Sequence, residues 1–186
     1  MVKSLIRKYS DAHGLSGREG NISDAIRSEL ESCVDEIHTD SMGNLIAVKK
    51  GGDFTVMLAA HMDEIGLMAR YIDDDGFIRF SPFGGWYAPT LYSQRVVVHG
   101  SRGRLYGVVG AKPPHIMTDE EKKKELKIED MFIDIGATSR EDAEELGVEI
   151  GTPITIDREV VEMAHDRMTG KAFDNRVGCA LLTRVM

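Results

Sequence analysis

The run His61-Met62-Asp63-Glu64 places an imidazole and a carboxylate two residues apart, directly after the apolar stretch TVMLAA. Side chains alternate along an extended chain, so His61 and Asp63 are expected on one side. A metal-binding histidine uses one ring nitrogen as ligand and commonly gives its other N–H to a carboxylate, which fixes the tautomer and raises ligand basicity. His61 is thus a candidate metal ligand and Asp63 its supporting acid. The ends of strands in open α/β sheets are where ligands collect. The pairing is also cheap: His38-x-Asp40, His165-Asp166 and His115-x-x-x-Asp119 occur in the same chain, none after a fully apolar run. Spacing alone leaves His61 open between a ligand and an ordinary strand-end histidine. Asp174, in GKAFDNR, stands before the last helical stretch. A carboxylate there is either a helix N-cap, which the pattern favours, or a metal-bridging group.

Other chemistries find little footing. Asp73-Asp74-Asp75-Gly76 has the opening of a calcium loop but not its later ligands, and reads as a hairpin turn. There is no GxSxG elbow, HExxH helix, phosphate-binding glycine loop or Cys/His spacing for structural zinc.

The elements that would position these residues fall into two textures. Two helices open the chain, the first over about Val2 to Ala12. The second is marked by the stripe Ile22, Ala25, Ile26, Leu30 and Cys33, with the glycines of LSGREG between them. Short β-type runs follow: EIHTD, LIAVKK and TVMLAA. The last is apolar on both faces, as expected of a strand buried inside an α/β sheet. From Gly66 onward, GLMARYI, FIRF, RVVVHG and RLYGVVG alternate with glycine-rich turns and predict a small β-rich unit. Thr118 and Glu121 are spaced as a capping box, and a short helix is expected from Ser139 to Gly147. The expected organisation is an α/β domain over residues 1–66 and 164–186, with a central mixed sheet flanked by helices. A β-rich, barrel-like insertion at 67–163 interrupts it. The final stretch NRVGCALLTRVM has a helical apolar face and reaches Met186 without a cap, which suggests a chain cut short.

Bulk composition bounds the function. At 186 residues, 42% hydrophobic and 29% charged, the chain has the make-up of a soluble globular protein. Its formal charge of −8 argues against nucleic-acid binding, and Glu121-Lys122-Lys123-Lys124 reads as a solvated face. No stretch approaches the ~20 apolar residues of a membrane span. MVKSLIRKYSDAHG has neither a secretory apolar core nor a cleavage site. Cys33 and Cys179 are far apart and are expected as buried, reduced thiols. A cytoplasmic location follows.

Taken together, AAHMDEIGLMA, GVVGAKPPHIMT, DMFIDIGA with SREDAEELGV, and GKAFDNRVGCALL occur in an order that resembles the tetrahedral aminopeptidases. These are also described as glutamyl or deblocking aminopeptidases, and some members have been labelled endoglucanases. LSGREG is similar to the family's opening motif, so the resemblance covers essentially the whole chain. It implies a pair of divalent metals, zinc or cobalt, that activate a water to cleave N-terminal residues from peptide substrates. It maps His61 onto a terminal metal ligand, Asp174 onto the bridging carboxylate and Asp63 onto the acid behind the histidine. The insertion would be the dimerisation domain, through which homo-oligomers build hollow dodecamers.

The family's remaining ligands, an acidic pair with the general base and a late histidine, have no match in this sequence. The expectation is the N-terminal half of such an enzyme, inactive alone and weak in metal binding. Two other readings stand beside it. An endoglucanase would need two carboxylates flanking a sugar bond, and none stand out. A non-catalytic assembly fragment would use the insertion alone.

Overall fold

The computed structural model describes residues 2–186. In chain order the helices and first strands are α1 (Val2–Asp11), α2 (Gly20–Leu30), β1 (Glu36–Thr39), β2 (Leu45–Val48), β3 (Gly66–Ile72) and β4 (Ile78–Phe83). Then come α3 (Ala88–Leu91), β5 (Arg95–Gly100), β6 (Gly103–Ala111), β7 (Met131–Asp134), α4 (Arg140–Glu145) and β8 (Pro153–Ile156). The chain closes with β9 (Val161–Met163), β10 (Arg167–Thr169) and α5 (Phe173–Val185). It divides into two compact units: Met1–Glu64 with Arg158–Met186, and Ile65–Asp157. The second boundary precedes residue 164 because β9 pairs antiparallel with β10 and not with the barrel.

The inserted unit is a closed barrel in the order β3-β4-β7-β6-β5-β8, antiparallel at every step. Closure removes the exposed strand edges that an open sheet of this size would present. Alternation sends Ile78 and Phe80 of β4 inward, and they meet Leu67, Val98, Val109, Met131, Ile133 and Ile154 in one apolar cluster. The DDDG segment is a turn: Gly76 has φ 87° and Asp73 Oδ1 accepts the Phe77 N–H at 2.9 Å. The capping box forms, with Glu121 Oε2 accepting from Thr118 N–H at 2.7 Å and Thr118 Oγ1 from Glu121 N–H at 3.2 Å. It opens a single 3-10 turn, Glu121–Lys123. Ser139 caps α4 through the Asp142 N–H, and Gly147 ends it at φ 95°.

In the other unit α1, α2 and α5 pack around Tyr9, Ile22, Ile26, Leu30, Cys179 and Ala180. Ile22, Ile26 and Leu30 lie four residues apart, which puts them on one face of α2. Among the described residues the strands of this unit form two separate antiparallel pairs, β1–β2 and β9–β10. The buried strand expected at TVMLAA is not formed. Among the described residues no ladder includes positions 54–60, and Phe54 and Met57 are 81% and 86% exposed. An apolar run becomes a strand only when another strand takes up its backbone hydrogen bonds, and none is present here. Cys33 also departs from expectation: α2 stops at Leu30 and leaves the thiol exposed, whereas Cys179 is buried, and both are free. No helix of the described residues is long and apolar enough to cross a membrane.

Candidate metal centre

The structure brings His61, Asp63 and Asp174 together. His61 Nδ1 lies 3.0 Å from Asp63 Oδ1, and its Nε2 lies 3.0 Å from Asp174 Oδ1. Asp63 is held in turn by Ser16, whose hydroxyl donates to Oδ2. The extended backbone through 61–63 puts both side chains on one side, as the alternation requires. Partial burial works against a charged ring, but hydrogen bonds to Asp174 and Asp63 outweigh it and raise the His61 pKa above the ordinary histidine value. Partial burial likewise opposes ionised Asp63, yet the bonds from Ser16 and His61 hold its pKa below the usual carboxylate value.

Asp174 is not the helix cap that its position suggested. Asp174 and Asn175 are non-helical, and the neighbouring Asn175 Oδ1 accepts the Gly178 N–H at 3.1 Å. Asn175 therefore does what an N-cap side chain does. The Asp174 carboxylate turns to His61, with its side chain 96% exposed.

This donor set fits a divalent cation in part. Two ligand atoms on one tetrahedral zinc, each about 2 Å from the ion, lie roughly 3.3 Å apart, close to the His61–Asp174 spacing. In the protonated ring the Nε2 proton stands where a cation would bind. Asp63 fixes the other nitrogen, as the carboxylate behind a metal-bound histidine does. Among the described residues no cluster of three or more His, Cys, Asp or Glu could hold a metal. His61 and Asp174 are two candidate ligands, and a firm site needs more.

Sequence reasoning missed three buried charged residues on the same two segments. Glu64, Lys171 and Arg176 are 5%, 9% and 0% exposed. Lys171 Nζ donates to both Glu64 oxygens, at 2.7 and 2.8 Å, and Arg176 Nη2 lies 4.0 Å from Glu64 Oε1. Their one visible signal was position: each flanks a motif residue by no more than three places.

Residues 43–186 match the M42 glutamyl aminopeptidase family. The chain is 37% identical over 175 residues to the lysyl aminopeptidase of Pyrococcus furiosus, covering 93% of this chain and 51% of that protein. A TET aminopeptidase from a marine-sediment Thaumarchaeota archaeon superposes with a TM-score of 0.94 at 37% identity, over 98% of this chain and 52% of the other. The Pyrococcus horikoshii TET1 peptidase, described as assembling into a tetrahedron or a large octahedral shell, gives 0.89 at 33% identity, over 99% and 55%. The chain thus spans about half the length of the relatives it matches. With its α/β fold, its barrel insertion and a family match running through both His61 and Asp174, this chain belongs to the M42 glutamyl aminopeptidases.

Proposed function

We propose that this chain supplies one side of a two-metal aminopeptidase centre, with His61 as a terminal ligand, Asp174 as the bridging carboxylate and Asp63 as the acid that orients His61. The observation that carries this reading is the His61 ring held between Asp63 and Asp174, 3.0 Å from each. Zinc or cobalt, when bound, would acidify a water and polarise the scissile carbonyl of a peptide. What the chain's own residues do is bind and orient: Asp63 sets the imidazole so that Nε2 faces Asp174, and the exposed Asp174 carboxylate is free to serve two ions. Further ligands and a general base have to come from polypeptide outside these 186 residues. The uncovered apolar run at 54–58, which leads straight to His61, is consistent with such polypeptide adding strands at that place. A glycoside hydrolase is less well supported, because Asp63 and Asp174 both face one imidazole, whereas that chemistry needs two carboxyl groups facing a sugar bond.

The reading includes a homo-oligomeric, cytoplasmic enzyme. Assembly of the P. horikoshii relative supports the first part and the two unpaired cysteines the second. The barrel, with Tyr87, Tyr106 and Ile150 exposed, is the proposed contact unit.

The test is a zinc titration and an assay on the purified 186-residue chain. Zinc is expected to bind weakly, and His61→Ala and Asp174→Ala should each abolish that binding. Aminoacyl p-nitroanilides should not be hydrolysed. Zinc binding indifferent to both substitutions would remove the metal reading, and steady turnover by the chain alone would remove the half-site reading.

A further inference from the structure

We propose that Glu64, Lys171 and Arg176 form a buried positioning clamp that sets His61 and Asp174 at ligand distance, by fastening the segment that carries one to the segment that carries the other. This rests on the metal-site reading above.

His61 lies three residues before Glu64, and Asp174 lies three residues after Lys171 and two before Arg176. The two candidate ligands belong to segments more than a hundred residues apart in sequence; the Glu64 carboxylate is the charged tie between those segments, beside a Cys179 Sγ–His61 carbonyl contact at 3.3 Å. Lys171 Nζ bonds both of its oxygens at 2.7 and 2.8 Å and also reaches the Ala12 carbonyl at 3.2 Å. Gly14 N–H donates to Glu64 Oε1 at 2.9 Å, and the Glu64 N–H donates to the Gly14 carbonyl at 2.8 Å. Glu64 is therefore gripped by side chain and backbone at once. Arg176 adds charge from the start of the regular part of α5, anchored through Nη1 to the carbonyls of Tyr9 and Ala12.

Three features separate this cluster from an ordinary ion pair. It is nine-tenths or more buried, so the charges are scarcely screened and the geometry is stiff. It places two cations on one carboxylate, with Asp11 also acting on Lys171 and with Asp63 and Glu19 on Arg176, and Arg176 keeps Nε and Nη2 without a hydrogen bond. Burying unfilled donors and three charged groups is costly, and a well-packed apolar group in that place would often be more stable. Room has also been kept for it: a Cβ on Gly14 would come within 3.0 Å of Arg176 Nη2 and 2.7 Å of Ile22. A costly arrangement of this kind is accounted for if it does positional work for the pair of ligands beside it.

Two readouts on the full chain test the clamp. The first needs no metal: NMR of the His61 ring nitrogens reports whether both ring hydrogen bonds are made. The second is the zinc affinity followed on the same signals. In Glu64→Gln, one Lys171 contact is lost and the ring bond to Asp174 should weaken, with zinc affinity falling about 10- to 100-fold, as when a partner behind a ligand is removed. Lys171→Arg, which keeps the cation, should retain most of the wild-type affinity. If Glu64→Gln does not fold, Glu64→Gln with Lys171→Met removes the cation bonded to the lost carboxylate, should restore folding and should still lack the ring bond to Asp174. Unchanged His61 signals in a folded Glu64 variant would overturn the clamp. Zinc that fails to bind the wild type would overturn the metal reading instead, and the metal-free ring signals would still decide the clamp.

Discussion

The barrel and the α/β unit solve opposite problems. The barrel buries Thr152 and Thr155 as its only fully enclosed polar side chains among the described residues, and the rest of its interior is aliphatic or aromatic. Its six strands pair in a ring and leave no open edge. The α/β unit encloses Ser10, Glu64, Lys171 and Arg176 while leaving Phe54, Val56 and Met57 in solvent. Charged groups are enclosed there where enclosure is costly, and a continuous apolar run is left uncovered. The charged side chains that are enclosed among the described residues all belong to the α/β unit, within three positions of His61 or Asp174 in sequence.

The contrast breaks most visibly if the barrel core can be hollowed at little cost. Ile133 is fully buried on β7 and faces Ile78 across the ladder. Ile133→Ala should lower the opening free energy of barrel amides by about 2–5 kcal/mol, from lost burial and the cavity left behind. Native-state hydrogen exchange measures this amide by amide, and the His61 ring signals should not move. A loss below 1 kcal/mol would mean that the barrel interior relaxes freely and is not the rigid part of the molecule.

A smaller effect separates the units by pH. Tyr71, Tyr87, Tyr92 and Tyr106 of the barrel are exposed, whereas Tyr9 of α1 is fully buried with its hydroxyl 3.0 Å from Thr183 Oγ1. Burial, partly offset by the Thr183 bond, pushes the Tyr9 phenol up to about 12. The folded state therefore holds this proton more tightly than the unfolded chain, whose phenol titrates near 10. The stabilising contribution is complete below pH 10 and is lost as pH rises to 12, at most roughly 2–3 kcal/mol. Urea unfolding at pH 9 and pH 11.5 should show the loss in the wild type and much less of it in Tyr9→Phe. Equal losses in both proteins would assign the alkaline sensitivity elsewhere.

The same contrast explains what could be read from sequence. The barrel was legible because alternation and glycine turns are local: Ile78 and Phe80 point inward because they are two residues apart on one strand. That His61 and Asp63 meet on one side was legible for the same reason. Asp174 was ambiguous, since sequence cannot decide which of two adjacent Asx residues caps the helix; in the fold Asn175 takes the Gly178 N–H and frees Asp174. The cluster of Glu64, Lys171 and Arg176 was not legible at all. Charged residues are normally exposed, and only long-range packing shows that these three are enclosed. TVMLAA misled because an apolar period specifies what a segment can bury, not whether a partner is there to bury it.

That last segment gives the smallest predicted change in stability and the sharpest form of the comparison. Met57, like Ile133, is a large apolar residue in a β-forming run, but it is 86% exposed and outside every ladder. Met57→Lys should shift the urea-unfolding free energy by no more than about 0.5 kcal/mol, the range for surface positions without special contacts. Its consequence should lie in association instead. An apolar run with unpaired backbone groups is a template for adding a strand, and a lysine there opposes it. Sedimentation velocity over a range of protein concentrations should show the wild type associating and Met57→Lys associating less. A stability loss of 1 kcal/mol or more would mean that Met57 is packed in solution, and the α/β unit would then resemble the barrel more closely than its exposed run implies.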